Sequence, residues 1–437
     1  MTAALGGIDG SPRRPVIRRA ILWLLFLGPF FYLTYGTANW LASLRVEVPN
    51  LAFGWESRVP FIAWSIVPYW SVNLFYAIAL FVNESPEQVD RLAKRYLTAQ
   101  IIAVICFVAF PLTATFVKPE TSGLPGFMFD VLGGFDKPFN QAPSLHIALL
   151  IVIWDQMRRI MRGGTRTVWH IWCLLIGLSV LTTYQHHAVD IPAGALLGFF
   201  VLWLFPRTGP SPLAGFRLTD NAKARRLGSY YLAGALLLLA LGIHGLTLTG
   251  YAIFWFWPAL ALAIVAAGYF GAGPDVFQKR TDGTVSLASR WLLAPYRLFA
   301  RLNILFWTRK LPPYIALTDT VFLGRFPSKS EARTFSTVID LTAELVAPRG
   351  AEDWKSFCCM DLLPPSPEKV RLAADTVEAA CHAGPVLICC ALGFQRSATV
   401  AVDWLVQSGH ATSAREAENL IRAKGWPLRL HAHEVPE

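Results

Sequence analysis

Before residue 273 the chain consists largely of apolar runs near 20 residues long, the length that crosses a bilayer core. A backbone inside that core has no water to bond to, so each run must close its hydrogen bonds internally as a helix. Eight spans are read at about 19–41, 61–83, 97–117, 145–157, 167–185, 189–205, 228–247 and 250–272, the fourth and sixth being short. With 54% hydrophobic and 16% charged residues in 437, and a mean hydropathy of +0.42, the chain is too apolar for a wholly water-soluble protein. The expected fold class is a multi-span all-α membrane domain followed by a smaller α/β domain.

Lys and Arg beside short spans stay cytoplasmic, so loop charge sets the orientation. Arg13, Arg14, Arg18 and Arg19 precede the first span, Arg91, Lys94 and Arg95 follow the second, Arg158, Arg159, Arg162 and Arg166 follow the fourth, and Arg207, Arg217, Lys223, Arg225 and Arg226 follow the sixth. The opposite loops hold only Arg45, Arg58, Lys118 and Lys137. Both termini are therefore expected in the cytoplasm of a bacterial inner membrane. The formal charge of +10 is mostly this bias, not a nucleic-acid footprint. The first span is long and lacks a small-residue cleavage site, which reads as an anchor and not a cleaved signal. The expected divisions are a tail at 1–18, a six-span domain at 19–206, two more spans at 207–273, an amphipathic linker at 274–311 and a polar domain at 312–437.

Between Val285 and Lys310, Trp291, Leu292, Leu298, Phe299 and Trp307 alternate with Arg290, Arg297 and Arg301. The three arginines share a helical face, which fits either a helix lying on the inner leaflet, kinked at Pro295, or an ordinary packing helix. Beyond Leu311, strand-like runs at 321–323, 337–341 and 386–389 alternate with helical stretches at 368–382, 398–408 and 413–423, an α/β pattern. Five of the seven cysteines lie in this polar region, as free thiols would in a reducing compartment.

The run Val386-Leu387-Ile388 delivers Cys389-Cys390-Ala391-Leu392-Gly393-Phe394-Gln395-Arg396-Ser397, a cysteine and an arginine six residues apart. A strand that turns through a short loop into a helix aims backbone N–H groups and the helix N-terminus at one point, which suits a phosphate and a thiolate alike. This Cys-x5-Arg-Ser pattern, with Leu323-Gly324, Ile339-Asp340-Leu341-Thr342 and Ala398-Thr399-Val400, resembles the dual-specificity branch of the protein tyrosine phosphatases over residues 312–437. The resemblance implies Cys390 as the nucleophile that forms a cysteinyl-phosphate, Arg396 on the equatorial oxygens, and Ser397 aiding thiolate departure. It also implies Gly393 and Gln395 at the phosphate, and Asp361 as general acid with Asp353 and Glu352 as fallbacks. Cys389 stands where the family has histidine, which removes a support of the loop and predicts reduced activity; as a redox partner for Cys390, Cys358 or Cys359 is better placed than the adjacent Cys389, and the simplest reading of all three is buried thiols.

A second constellation lies in the apolar half: Lys118-Pro119, Pro143-Ser144-Leu145-His146 and His186-His187-Ala188-Val189-Asp190. The first ends the third span, the second opens the fourth and the third joins the fifth to the sixth, so the topology brings all three to the outer interface. Ionisable residues at such depth are costly and usually functional. Lys118 can neutralise a phosphate, Ser144 can donate to its oxygen, His186 can attack phosphorus with Asp190 one turn on fixing its tautomer, and His146 can protonate the leaving alcohol. His187 is the substitute for His186 or a headgroup-facing residue. The trio resembles the type 2 phosphatidic acid phosphatase superfamily over residues 60–206. Leu145, Val180 and Pro111 depart from that pattern, replacing a glycine, an arginine and a lysine, and what remains also resembles sphingomyelin and inositol phosphorylceramide synthases.

These readings lead to a membrane phosphatase of lipid phosphates with an outward histidine site and a cytoplasmic cysteine site. They call for no metal or cofactor, for phospholipid substrates and a bilayer as partners, and for no nucleic acid. The alternatives are a headgroup phosphotransferase in the membrane half, a Cys390 domain that binds phosphate without turnover, and protein phosphotyrosine or phosphoserine as the substrate of the cysteine site.

Overall fold

A computed structural model describes residues 13–349 and 352–430; the tail expected over residues 1–12 lies outside them. Contacts divide the chain into two compact units, one of residues 1–211 and 239–256 and one of 212–238 and 257–437.

The first unit is helical: α1 (Arg13–Ser43), α2 (Ile66–Phe81), α3 (Pro86–Ala109), α4 (Gly123–Gly133), α5 (Leu145–Met157), α6 (Gly163–Thr182) and α7 (Asp190–Leu204), with the C-terminal part of α8 (Ala222–Leu246). Six helices among the described residues are long and apolar enough to cross a membrane, and α5 and α7 are shorter apolar helices. Two boundaries differ from the sequence reading. Helix α1 begins at Arg13, so residues 13–18 are helix and not tail. Helix α3 starts at Pro86, where the Ser85 hydroxyl accepts from the Gln88 N–H, and stops at Ala109 because Pro111 disfavours helix at Phe110. Lys118 therefore sits in an extended loop and does not end a span. Helices α5 and α7 cross closely: a Cβ on Gly194 would lie 2.4 Å from the Ser144 carbonyl, and one on Gly198 would lie 2.9 Å from that of Ala148. That contact brings the N-termini of α5 and α7 together, and the Ser144 N–H donates to the Asp190 carbonyl at 3.2 Å.

The second unit contains the N-terminal part of α8, then α9 (Phe256–Ala267), α10 (Leu287–Leu292) and α11 (Ala294–Thr308). These lead into β1 (Tyr314–Ala316), β2 (Val321–Arg325), α12 (Lys329–Ala332), β3 (Thr337–Thr342) and β4 (Asp353–Cys359). The chain continues through α13 (Pro367–Cys381), β5 (Val386–Cys390), α14 (Arg396–Gln407) and α15 (Ala414–Ala423). The sheet order is β1-β2-β5-β3-β4, with β1 antiparallel and the rest parallel, so β5 is central. A strand covered on both faces reads as a continuous apolar run, which is why β5 and β3 were legible while the short edge strand β1 and the mixed strand β4 were not. Helices α13, α14 and α15 pack one face through Val370, Val377, Val400, Trp404 and Ile421. Ala332, Phe335, Val338, Trp354, Leu387 and Cys389 form the other layer.

The amphipathic segment is two helices broken at Leu293, with Pro295 in the first turn of α11. Its three arginines do not share one environment: Arg290 and Arg301 are exposed, whereas Arg297 is buried, donating to the Glu344 carbonyl at 2.8 Å and to the carbonyl and hydroxyl of Ser289. Upstream, Lys279 is fully buried against Asp340 and donates to the Thr342 carbonyl at 2.8 Å and hydroxyl at 3.1 Å.

Removing one partner of a buried pair leaves an uncompensated charge, whereas an exposed pair contributes little. Lys279→Ala is expected to destabilise the second unit by about 3–5 kcal/mol, read from denaturant unfolding of detergent-solubilised protein. Arg422→Ala, which breaks only the exposed 3.4 Å pair with Glu418, is expected to change it by less than about 1 kcal/mol.

Candidate active sites

In the second unit the loop 391–395 joins central strand β5 to α14, at the C-terminal edge of the sheet where open α/β folds bind ligands. Gly393 takes a left-handed conformation (φ 84°), and its N–H donates to Cys390 Sγ at 3.3 Å. A Cβ there would lie 2.6 Å from the Trp426 ring and 2.7 Å from the Gly324 carbonyl. The Trp426 indole N–H holds the Gly393 carbonyl at 2.9 Å from behind. The Ser397 hydroxyl donates to Cys390 Sγ at 3.2 Å, the contact a departing thiolate needs. Gln395 caps α14, whose first residue is Arg396.

Arg396 is 2% exposed, and its charge is answered by carboxylates. Nη1 and Nη2 donate to the two oxygens of Glu344 at 3.1 and 2.9 Å, Nη1 also donates to the Cys359 carbonyl at 3.0 Å, and Nη2 donates to Asp361 Oδ1 at 2.7 Å. Burial opposes ionisation of Glu344, but the Arg396 charge and hydrogen bonds win and hold its carboxyl below the usual range. Asp361 goes the other way: desolvation, with Glu344 adding repulsion, outweighs Arg396 and raises its pKa. The pKa values of two acids around one arginine are thus pushed apart. Leu362, next to Asp361, has φ 59°, an uncommon value for a branched side chain, and backbone strain of this kind gathers at functional sites. The Asp361 carbonyl accepts from the Tyr269 hydroxyl at 2.9 Å; Tyr269 lies just beyond α9 and stacks on Tyr231 of α8.

Asp353 and Glu352 fall away as fallback acids. Asp353 pairs in register with Thr337 at the start of the parallel strands, the end opposite Cys390, and binds Lys355. Cys389 points into the apolar layer beside Trp354 and Leu387, where burial raises its thiol pKa well above normal. Cys358 and Cys359 are likewise lifted by burial, to about 11 and about 12, and all seven cysteines are free. Glu344, Tyr269 and Trp426 were missed from sequence. Only Glu344 had a signal there, as an acid just beyond the buried Asp340-Leu341-Thr342 strand end.

In the first unit, a cavity of about 280 Å³ is lined by Tyr35, Lys118, Asp136, Asn140, Tyr184 and His186, among others. His186 Nδ1 meets Asp190 Oδ2 at 3.1 Å, a pairing that favours the tautomer with hydrogen on Nδ1 and a lone pair on Nε2. His187 is excluded as its substitute. The Thr115 N–H donates to its Nε2 at 3.1 Å and its Nδ1 meets buried Glu56 at 2.6 Å, so both nitrogens are occupied. Glu56 also accepts from the N–H groups of Phe53 and Ala188, making the Glu56–His187 pair a brace for the loop that carries His186. Tyr184 takes φ 55° two residues before His186 and anchors its hydroxyl on the Val59 carbonyl at 2.8 Å.

Ser144 is fully buried and its hydroxyl accepts from the Ile147 N–H at 3.3 Å, capping α5. His146 stacks on Tyr69 at 4.1 Å, and its Nε2 is buried without a hydrogen-bond partner. Of the residues expected from sequence, His186 and Lys118 line the cavity, Asp190 is buried against His186, and Ser144 and His146 lie at the first turn of α5, where the Ser144 N–H meets the Asp190 carbonyl. Among the described residues, one exposed group has metal-ligand geometry: Glu378, Cys381 and His382 at the C-terminal end of α13, beside the start of β5 and not its catalytic end.

Residues 55–204 match the family model of the PAP2 superfamily. Among solved structures the chain is similar to one described as "Crystal structure of Tk-PTP in the active form", at 26% identity over 28% of this chain and 92% of that chain, TM-score 0.26. It is also similar to the crystal structure of human DUSP28, at 17% identity over 28% of this chain and 86% of that one, TM-score 0.24. No curated protein matches the chain.

Because the folded Glu344 carboxyl is depressed, its stabilising contribution is complete above about pH 4.3 and disappears as pH falls through the lower folded value. Glu344→Gln is expected to be less stable than the parent at pH 7, with the gap closing on acidification. By letting Arg396 shift, it should lower turnover at the cysteine site about 10²-fold. Thermal unfolding against pH and steady-state kinetics on an aryl phosphate check both.

Proposed function

We propose that this chain is a membrane phosphatase with two separate sites, both acting on phosphomonoesters of lipids. One is a histidine site in the membrane half and the other a cysteine site in the polar half. The observation that supports a lipid substrate most strongly is the Tyr269 hydroxyl on the Asp361 carbonyl. The backbone of the acid's loop is tied to the end of an apolar helix long enough to cross a membrane. A site built onto such a helix suits a phosphate held at the membrane surface better than one on a diffusing protein.

At the cysteine site, the phosphate oxygens replace Asp361 on Arg396 and meet the loop N–H groups. The Cys390 thiolate attacks phosphorus, the bond to the leaving oxygen breaks, and Asp361 gives its proton to that oxygen. Asp361, now ionised, takes a proton from water; the water oxygen attacks phosphorus, the S–P bond breaks, and the Ser397 hydroxyl stabilises the returning thiolate. The raised pKa of Asp361 suits it to carry that first proton, and the dianion beside it raises it further.

At the membrane site His186 Nε2 attacks phosphorus and the bond to the leaving oxygen breaks, with Asp190 stabilising the imidazolium, Lys118 offsetting the phosphate charge and His146 protonating the leaving alcohol; His146 then takes a proton from water, whose oxygen attacks phosphorus as the N–P bond breaks and His186 is released. Spans counted with the short helices α5 and α7 make eight, which keeps both termini on the side of the arginine-rich loops and the histidine cavity on the opposite side. Phosphotransfer to an alcohol is the second reading for this site. It is favoured by Asp136, a carboxylate in the same cavity, bonded to the Tyr35 hydroxyl at 2.8 Å and able to accept from an incoming hydroxyl.

Cys390→Ser and His186→Ala are each expected to lose a different substrate from a panel of lipid phosphates assayed for phosphate release. Loss of every substrate by one variant alone would contradict two working sites. For Cys390-dependent substrates with alkyl leaving groups, the rate should fall as pH rises through the Asp361 pKa, and Asp361→Asn should abolish that limb while sparing p-nitrophenyl phosphate, whose leaving group needs no proton.

A further inference from the structure

Helix α11 has two faces with different duties. Its inner face is part of the cysteine site's support: Arg297 donates to the Glu344 carbonyl, and Ile304 packs on Leu345 and on Ala391 of the phosphate loop. Its outer face is apolar and bare. Leu298, Phe299, Leu302, Leu305 and Phe306, spaced i, i+1, i+4, i+7 and i+8, are 58, 67, 51, 63 and 56% exposed. Five large apolar side chains on four turns of one helix form a patch that a water-facing surface rarely carries.

The charge around that patch has one sign. No Asp or Glu occurs from residue 283 to 318, whereas Arg290, Arg301, Arg309 and Lys310 are exposed along and beside the helix. The patch also adjoins membrane-type structure within its own unit. The Trp257 indole N–H of α9 bonds the carbonyls of Trp291 and Leu292 at 3.1 Å, and the Trp257 and Trp291 rings stack at 4.6 Å, so the α10–α11 elbow is seated on the last apolar helix.

We infer that α11 is a lipid-contacting helix: its outer face lies in the boundary between acyl chains and headgroups of an anionic bilayer, with Arg301, Arg309 and Lys310 at the headgroups. Cationic flanks with no acidic residue match a bilayer carrying negative headgroups, and continuity with α9 favours it over a soluble partner. The assignment does not depend on which reaction either site performs.

The test uses the full chain in phosphatidylcholine vesicles with or without phosphatidylglycerol. A benzophenone amino acid is placed singly at Phe299, Leu302 or Phe306, with Leu420 on the polar domain as control. After illumination, lipid adducts are expected at the three α11 positions several-fold above Leu420, in higher yield with phosphatidylglycerol, and that gain should vanish in Arg301→Gln/Arg309→Gln. Adducts to a second copy of the chain, or no lipid adduct above Leu420 at any of the three positions, would overturn the proposal. Yields that ignore lipid charge would overturn its anionic part.

Discussion

A guanidinium removed from water has to be answered, and the polar half of this protein is organised around answering Arg396. Glu344 binds it edge-on with both oxygens, the Cys359 carbonyl and Asp361 take further N–H groups, and the strands β3 and β4 are positioned so that their C-terminal ends supply these partners. Glu344 is in turn held through its carbonyl by Arg297 of α11, and the Asp361 carbonyl by Tyr269 beyond α9. The buried charge thus links the phosphate loop to the helices that precede the sheet. What makes the arrangement costly to break is the low dielectric around it: loss of either carboxylate leaves charge that nothing nearby can screen.

The two candidate sites solve one problem in different solvents. Each needs a nucleophile kept in its reactive form and a cation for the phosphate, without water crowding the reacting atoms. In the polar half a strand–loop–helix turn supplies backbone N–H groups and a serine hydroxyl to sulfur. In the membrane half, where irregular backbone is tolerated only inside the protein, a braced loop supplies an imidazole oriented by Asp190. The brace is the Glu56–His187 pair, which uses both nitrogens of one histidine so that its neighbour can be free. Each site also carries a residue in left-handed backbone beside its chemistry, Leu362 after Asp361 and Tyr184 before His186.

How much of this was legible in the sequence follows from how local each feature is. Cys390, Arg396 and Ser397 lie in one contiguous turn, so their spacing carries the geometry; His186 and Asp190 are one helical turn apart and read the same way. Glu344, Tyr269 and Trp426 contact residues 52, 92 and 33 positions away along the chain, separations that no local pattern encodes, since only the packing of β3, the segment after α9 and the C-terminal segment brings them to the loop. In the linker, periodicity put Arg290, Arg297 and Arg301 on one side, but Leu293 breaks the segment into two helices, and Arg297 goes inward to a carbonyl while Arg290 and Arg301 stay exposed. The third span was read too late because hydropathy follows apolar residues, whereas Ser85-Pro86 starts the helix among charged ones and Pro111 ends it.

The central claim is that one chain forms two chemically distinct phosphoenzymes. Rapid quenching of the full-length protein with a radiolabelled lipid phosphate, followed by peptide mapping, tests it most directly. The account predicts an acid-labile phosphohistidine at His186 that persists in Cys390→Ser, and an iodine-sensitive cysteinyl-phosphate at Cys390 that persists in His186→Ala. Label that maps to a single residue whatever the substrate, or that disappears entirely in one of the two variants, would contradict it.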